Sequence, residues 1–137
     1  VTDYRAQWDE SPELRVSVQE ELLNWAIWSH GGYEDLGHAH KSNFYDKMKG
    51  STPPGCPPVC DVARAEETED NLVMWRLVAR SADARTRHYL AKLILILKLH
   101  YLTGKAAHTK AKIASVSRKK FYELLEDAEY RYWVISL

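Results

Sequence analysis

IASVSRKKFYELLEDAEYRYW, residues 113–133, holds a turn followed by a helix that begins against the rules. Ser117 is a good N-cap residue. Phe121, Leu124, Leu125, Ala128, Tyr132 and Ile135 then recur at steps of three and four, which marks one apolar face of a helix over 118–135. Yet Arg118, Lys119 and Lys120 fill the first turn. The helix macrodipole is already positive there, and Asp or Glu would be favoured. The misplacement costs about 0.3–1 kcal/mol, which an anion outside the helix would offset.

The residues just upstream set the context. RHYLAKLILILKLHYLTG, 87–104, alternates like a strand in its centre, but its length and its helical neighbours favour a helix. Leu90, Leu93, Ile94, Leu97 and Tyr101 would form its buried face, with Gly104 as its C-terminal cap. AAHTKAKIA, about 106–114, reads as a short second helix that packs through Ala107, Ala111, Ile113 and Ala114. SVS, 115–117, is then a turn without glycine. Helix, turn, short helix, turn and long helix make a helix-turn-helix over about 87–135, whose last helix would enter the DNA major groove by its N-terminal residues. Arg118, Lys119 and Lys120 would meet phosphates or guanine edges. Tyr122 and Glu123 lie off the apolar face and could meet a base edge. Lys110 and Lys112 would lie near the DNA backbone.

The charge distribution agrees with a polyanionic partner. The 137 residues carry 19 basic and 19 acidic side chains. Residues 1–71 hold 14 acids and 6 bases, and residues 72–137 hold 5 acids and 13 bases. Asp83 is the one acid among the 12 bases of 76–120. A half of the chain so enriched in cations points to nucleic acid. A solvated basic face, or a three-helix bundle that binds RNA or an acidic protein, is the plainer alternative.

Towards the N-terminus, Ser11 and Pro12 can start a helix whose face is Leu14, Val18, Leu22, Trp25 and Trp28 and which Gly31–Gly32 ends. Residues 33–41 read as loop, and about 43–49 as a short helix. GSTPPGCPPVC, 50–60, is a Pro-rich linker. Asp61 can cap a third helix to about Ala82, with Ala65, Leu72, Trp75 and Ala79 inward. The expected fold is all-α: a small helical domain with a C-terminal helix-turn-helix. A Trp-rich segment and linker occupy 1–60, and the DNA-binding region occupies 61–137. Trp8, Trp25, Trp28, Tyr33, Phe44 and Tyr45 should be mostly core, with some left to face a protein partner.

Other constellations are weaker. His38, His40, Cys56 and Cys60 could close a zinc site in principle, but the spacing is unusual and prolines crowd both cysteines. A zinc-containing interaction module without a DNA role is the reading that this set would support. A Cys–His catalytic pair lacks an orienting third group. Glu66, Glu67, Glu69 and Asp70 share one helix, whereas metal-dependent nucleases draw carboxylates from several elements. Gly-rich phosphate loops and hydrolase or metalloprotease motifs are absent. Two cysteines are too few for a disulfide scaffold, and neither a signal peptide nor a membrane span is visible. The expectation is a cytoplasmic protein that is not an enzyme and takes no cofactor or metal.

The ordered set of pieces resembles the late-gene antitermination proteins of the Q type found in some lambdoid phages. The matching pieces are Trp25, Trp28, Gly31, Gly32, Leu36–Gly37, Ser42, Phe44–Tyr45, Pro57–Pro58 and Ala65–Glu66–Glu67. LKLHYLTG and IASVSRKKFYELLEDAE complete the set, and the resemblance covers about residues 20–135. It implies a regulator that binds double-stranded DNA near a late promoter, loads onto bacterial RNA polymerase, with or without its sigma factor, and suppresses pausing and termination. Ser117, Arg118, Lys119, Lys120 and Tyr122 would then be the DNA-reading start of a sigma-like helix-turn-helix, with Lys110 and Lys112 as backbone contacts. The helix before the turn departs from the family in lacking the usual acidic or glutamine residue. A conventional repressor or activator that only occupies an operator is the alternative.

Overall fold

The computed structural model describes residues 3–30 and 60–137, and all of their regular structure is helical. Six helices follow in order: α1 (Tyr4–Glu10), α2 (Pro12–Ser29), α3 (Val62–Arg80), α4 (Ala84–Tyr101), α5 (Ala107–Ile113) and α6 (Arg118–Ser136). The Gly31–Gly32 stop, the short helix at 43–49 and the linker through Val59 lie outside the described residues. So do Tyr33, Phe44, Tyr45, His38, His40 and Cys56.

Helix α4 takes in the whole of the ambiguous, alternating stretch. Leu90, Leu93, Ile94, Ile96, Leu97, Leu99 and Tyr101 are all buried, on more than one side of the helix. The exposed positions in the middle of α4, Ala91 and Leu95, are apolar as well, so the stretch shows no clear polar face and can alternate as a strand does. Asp83 caps its start. It ends at Leu102 rather than at Gly104, and the Thr103 hydroxyl donates to the freed Leu99 carbonyl.

Helix α6 packs against each of the other five helices. Phe121, Leu124, Leu125, Ala128 and Tyr132 are buried on the face that their spacing predicts, and Ile135 is partly buried. Helix α3 brings in Ala65, Leu72, Trp75 and Ala79, together with Thr68. Helix α2 adds Val18, Leu22 and Trp25, along with Ala26 and Ile27. Helices from both sides of residues 31–59 therefore share one core.

Polar contacts fix how α2 and α3 meet. Asn24 and Asp61 exchange two hydrogen bonds: the Asp61 N–H donates to Asn24 Oδ1 at 2.7 Å, and Asn24 Nδ2 donates to the Asp61 carbonyl at 2.9 Å. The Asp61 carboxylate also accepts from the Arg64 N–H as the N-cap of α3. Farther along, the Trp25 indole donates to Glu69 at 2.7 Å. One member of the acidic run thus serves the fold.

Helix α1 is not foreseen in the sequence. It is short, capped by the Asp3 side chain, and contributes Trp8 to the core. Its role is to hold α6. The Trp8 indole donates to Glu126 at 2.8 Å, Arg5 donates twice to the same carboxylate, and Tyr4, Trp8, Tyr130 and Trp133 form an aromatic cluster. No helix among the described residues is long and apolar enough to cross a membrane.

Candidate nucleic-acid interface

The turn between α5 and α6 is built by two successive caps. The Val116 N–H bonds the Ala111 carbonyl, and the Ser115 N–H bonds the Lys112 carbonyl, each at 3.0 Å. This is the Schellman pattern that closes a helix C-terminus. It places Ser115 in the left-handed region, with φ of 60°, at the position usually held by glycine. Ser117 then opens α6: its hydroxyl accepts from the Lys120 N–H at 3.1 Å. Val116, between the caps, packs on the core.

Those caps fix the direction in which α6 starts. Phe121 is buried, and the turn before it lies outside the core. Ser117, Arg118, Lys119 and Lys120 are all exposed, as are Lys105 before α5 and Lys112 near its end. Lys120 lies 4.0 Å from Glu123 on the same face, a solvent-exposed pair of small energetic weight. Arg118, Lys119 and Lys112 form no ion pair among the described residues. Tyr122 is 41% exposed, with its ring edge-on to His100.

Lys110 corrects the sequence reading. It is only 6% exposed, with its ammonium 5.7 Å from the centre of the Phe121 ring and 3.3 Å from His100 Nδ1. An aliphatic stem that runs over an aromatic ring packs α5 on α6, and a cation over the ring face gains electrostatically as well. Lys110 is therefore a packing residue and leaves the set of exposed cations. Ile113, expected to pack, is instead 46% exposed, because α5 turns Ala111 and Ala114 inward.

The remaining acids of α6 face away from its cationic start. Glu126 is held by Arg5 and Trp8. Asp127 accepts from Tyr89 and Arg131. Burial and that bond to Asp127 push the Tyr89 hydroxyl up to about 12. Glu129 is fully buried, accepting from the Tyr101 hydroxyl at 2.7 Å and from Arg15 at 3.0 Å. Burial pushes its carboxyl above the usual carboxylate range, while the Tyr101 bond and the Arg15 charge pull it back. Each acid beyond Glu123 thus has a cation or hydroxyl from another part of the fold, and the first turn keeps its positive charge. No family model, curated protein or solved structure matches the chain.

The missed residues could have been found. Glu129 lies four residues after Leu125 and three before Tyr132, on the row that spacing already marks as buried. A carboxylate on such a row calls for a buried donor. Of the proposed zinc set only Cys60 is described; it is a free thiol, partly buried against the core.

Proposed function

We propose that this chain binds double-stranded DNA through the start of α6, as the reading helix of a helix-turn-helix. The observation that carries this reading is an exposed run of three cations at a capped helix N-terminus, on a helix whose later turns, Phe121 to Tyr132, are fixed in the core. Backbone N–H groups, the dipole and the side-chain charges all favour a phosphate at that point. Lys112, one turn before the caps, would touch the flanking backbone. Tyr122 would reach a base edge or sugar.

The resemblance to Q-type antitermination proteins extends the proposal to transcription. In that reading the protein works in the bacterial cytoplasm by binding, not catalysis, and without a cofactor. It occupies a promoter-proximal site and engages RNA polymerase to suppress pausing and termination. Titration of a duplex that contains the preferred site, at several salt concentrations, tests the DNA interface. Lys119→Glu and Lys120→Glu should each weaken binding and lower the salt slope by about one unit per lost phosphate contact. Parent-like binding by both variants at every salt would overturn it. A terminator read-through assay with purified bacterial polymerase tests the second step: site occupancy without read-through would leave a conventional repressor or activator.

A further inference from the structure

Helix α3 has a second ordered face, opposite to its core face. Ala65, Thr68, Leu72, Trp75 and Ala79 point inward. On the outer side, Asp70, Val73, Leu77 and Arg80 form a row with steps of three and four, and Met74 and Val78 flank it. Val73, Met74, Leu77 and Val78 are 42%, 53%, 50% and 49% exposed. Single exposed apolar residues need no explanation, but four on two consecutive turns form a stripe. Val78 also lines a cleft of about 410 Å3 with Trp75, Leu90 and Tyr130, which extends the apolar surface. The second half of α3 therefore carries two apolar faces, separated by polar positions at Asn71, Arg76 and Arg80.

The two ends of this row carry opposite charges. The stripe begins at an acid, Asp70, and ends at a base, Arg80. Both are exposed, and neither has an ion-pair partner among the described residues. A second α3 laid antiparallel across the first, with its two-fold axis beside residue 75, brings opposite charges together at both ends. Asp70 of each copy faces Arg80 of the other, and Val73 of each faces Leu77 of the other. Such self-complementarity under a two-fold rotation is the requirement of an isologous interface.

We infer that the chain forms an antiparallel homodimer through the outer face of α3, closed by Val73, Leu77 and the Asp70–Arg80 pairs. Two helical stripes are small beside the roughly 1,200 Å2 of a stable interface. The dimer is therefore concentration-dependent.

Sedimentation equilibrium of the full chain, without DNA, tests this. The mass should rise with concentration from 15.8 kDa towards twice that value. Leu77→Glu should remain monomeric with unchanged helicity by circular dichroism. Asp70→Arg and Arg80→Asp should each shift the chain to monomer, whereas the double variant carrying both should dimerise again, since each new Arg then faces a new Asp. A parent monomeric at every concentration overturns the inference; so does a dimer indifferent to Leu77→Glu and to both charge reversals. Single reversals that dissociate the dimer without rescue in the double variant overturn the antiparallel pairing. DNA affinity takes no part in these readouts, so they stand or fall apart from the α6 interface.

Discussion

The Tyr101 hydroxyl donates to the Glu129 carboxylate at 2.7 Å inside the core, where Glu129 has no exposed surface. The pair joins α4 to α6, and Arg15 joins α2 to the same carboxylate. Burial holds the folded-state pKa of Glu129 above its ordinary 4.5. The folded state therefore retains this proton to a higher pH than the unfolded chain does. Its contribution to stability is greatest below the unfolded-state pKa and falls as pH rises through the folded-state pKa. Glu129→Gln keeps an acceptor for Tyr101 and removes the titration. Urea melts between mildly acidic and neutral pH should show parent stability declining relative to Glu129→Gln as pH rises. Glu129→Ala should lose about 1–3 kcal/mol, since the buried hydroxyl of Tyr101 then lacks its acceptor. A parent that gains stability over Glu129→Gln with rising pH would contradict the account.

Ser115 holds a left-handed conformation inside a Schellman turn, with its N–H already bonded to the Lys112 carbonyl. A residue with a Cβ is disfavoured there by about 1–2 kcal/mol, while glycine loses more freedom on folding. The net expectation for Ser115→Gly is a gain of up to about 1 kcal/mol with the turn retained. Thermal melts would check it, and a clear loss would mean that the Ser115 side chain contributes something beyond its backbone geometry.

Leu125 is buried on the inner face of α6, and Trp8 is buried at the junction of α1 with α6. Leu125→Ala should cost about 2–5 kcal/mol as a core truncation, and Trp8→Ala about 3–5 kcal/mol. The Trp8 variant also frees the Glu126 carboxylate from its indole donor. Denaturant unfolding measures both. Parent-like stability of Leu125→Ala would mean that the inner face of α6 lies elsewhere.

What sequence reasoning could reach follows from how each element displays its period. Helix α6 has a wet side and a dry side, so Phe121, Leu125, Ala128 and Tyr132 read as one face from their spacing alone. For α4, apolar residues at exposed positions such as Ala91 and Leu95 blur the period, and length decides. Helix α1 escaped notice because a seven-residue helix with one buried side chain carries almost no periodic signal. The cationic start of α6 was legible because a cap and a charge run are local. Lys110 was misread because a lysine stem can cover an aromatic ring as readily as it can reach solvent, and only the position of Phe121 decides between the two. The turn at 115–117 is legible, but the left-handed backbone of Ser115 is not, because glycine is the usual mark of that geometry.

The contrast between Lys110 and its neighbours separates packing from DNA contact. Lys112 and Lys119 are exposed, whereas Lys110 lies over Phe121 and against His100. Lys110→Met preserves the stem and removes the ammonium. It should leave the salt slope of duplex binding at the parent value, because a buried ammonium displaces no counterion from the phosphates. Lys112→Glu and Lys119→Glu should each lower that slope; the melting transition should fall slightly for the first, which loses a cation from the last turn of α5, and rise slightly for the second, which places an acid in the first turn of α6. Duplex titrations across a salt series, paired with melts of the same variants, make the comparison. A drop in salt slope for Lys110→Met equal to that of Lys112→Glu would return Lys110 to the interface and would require α5 to open from Phe121 when DNA binds.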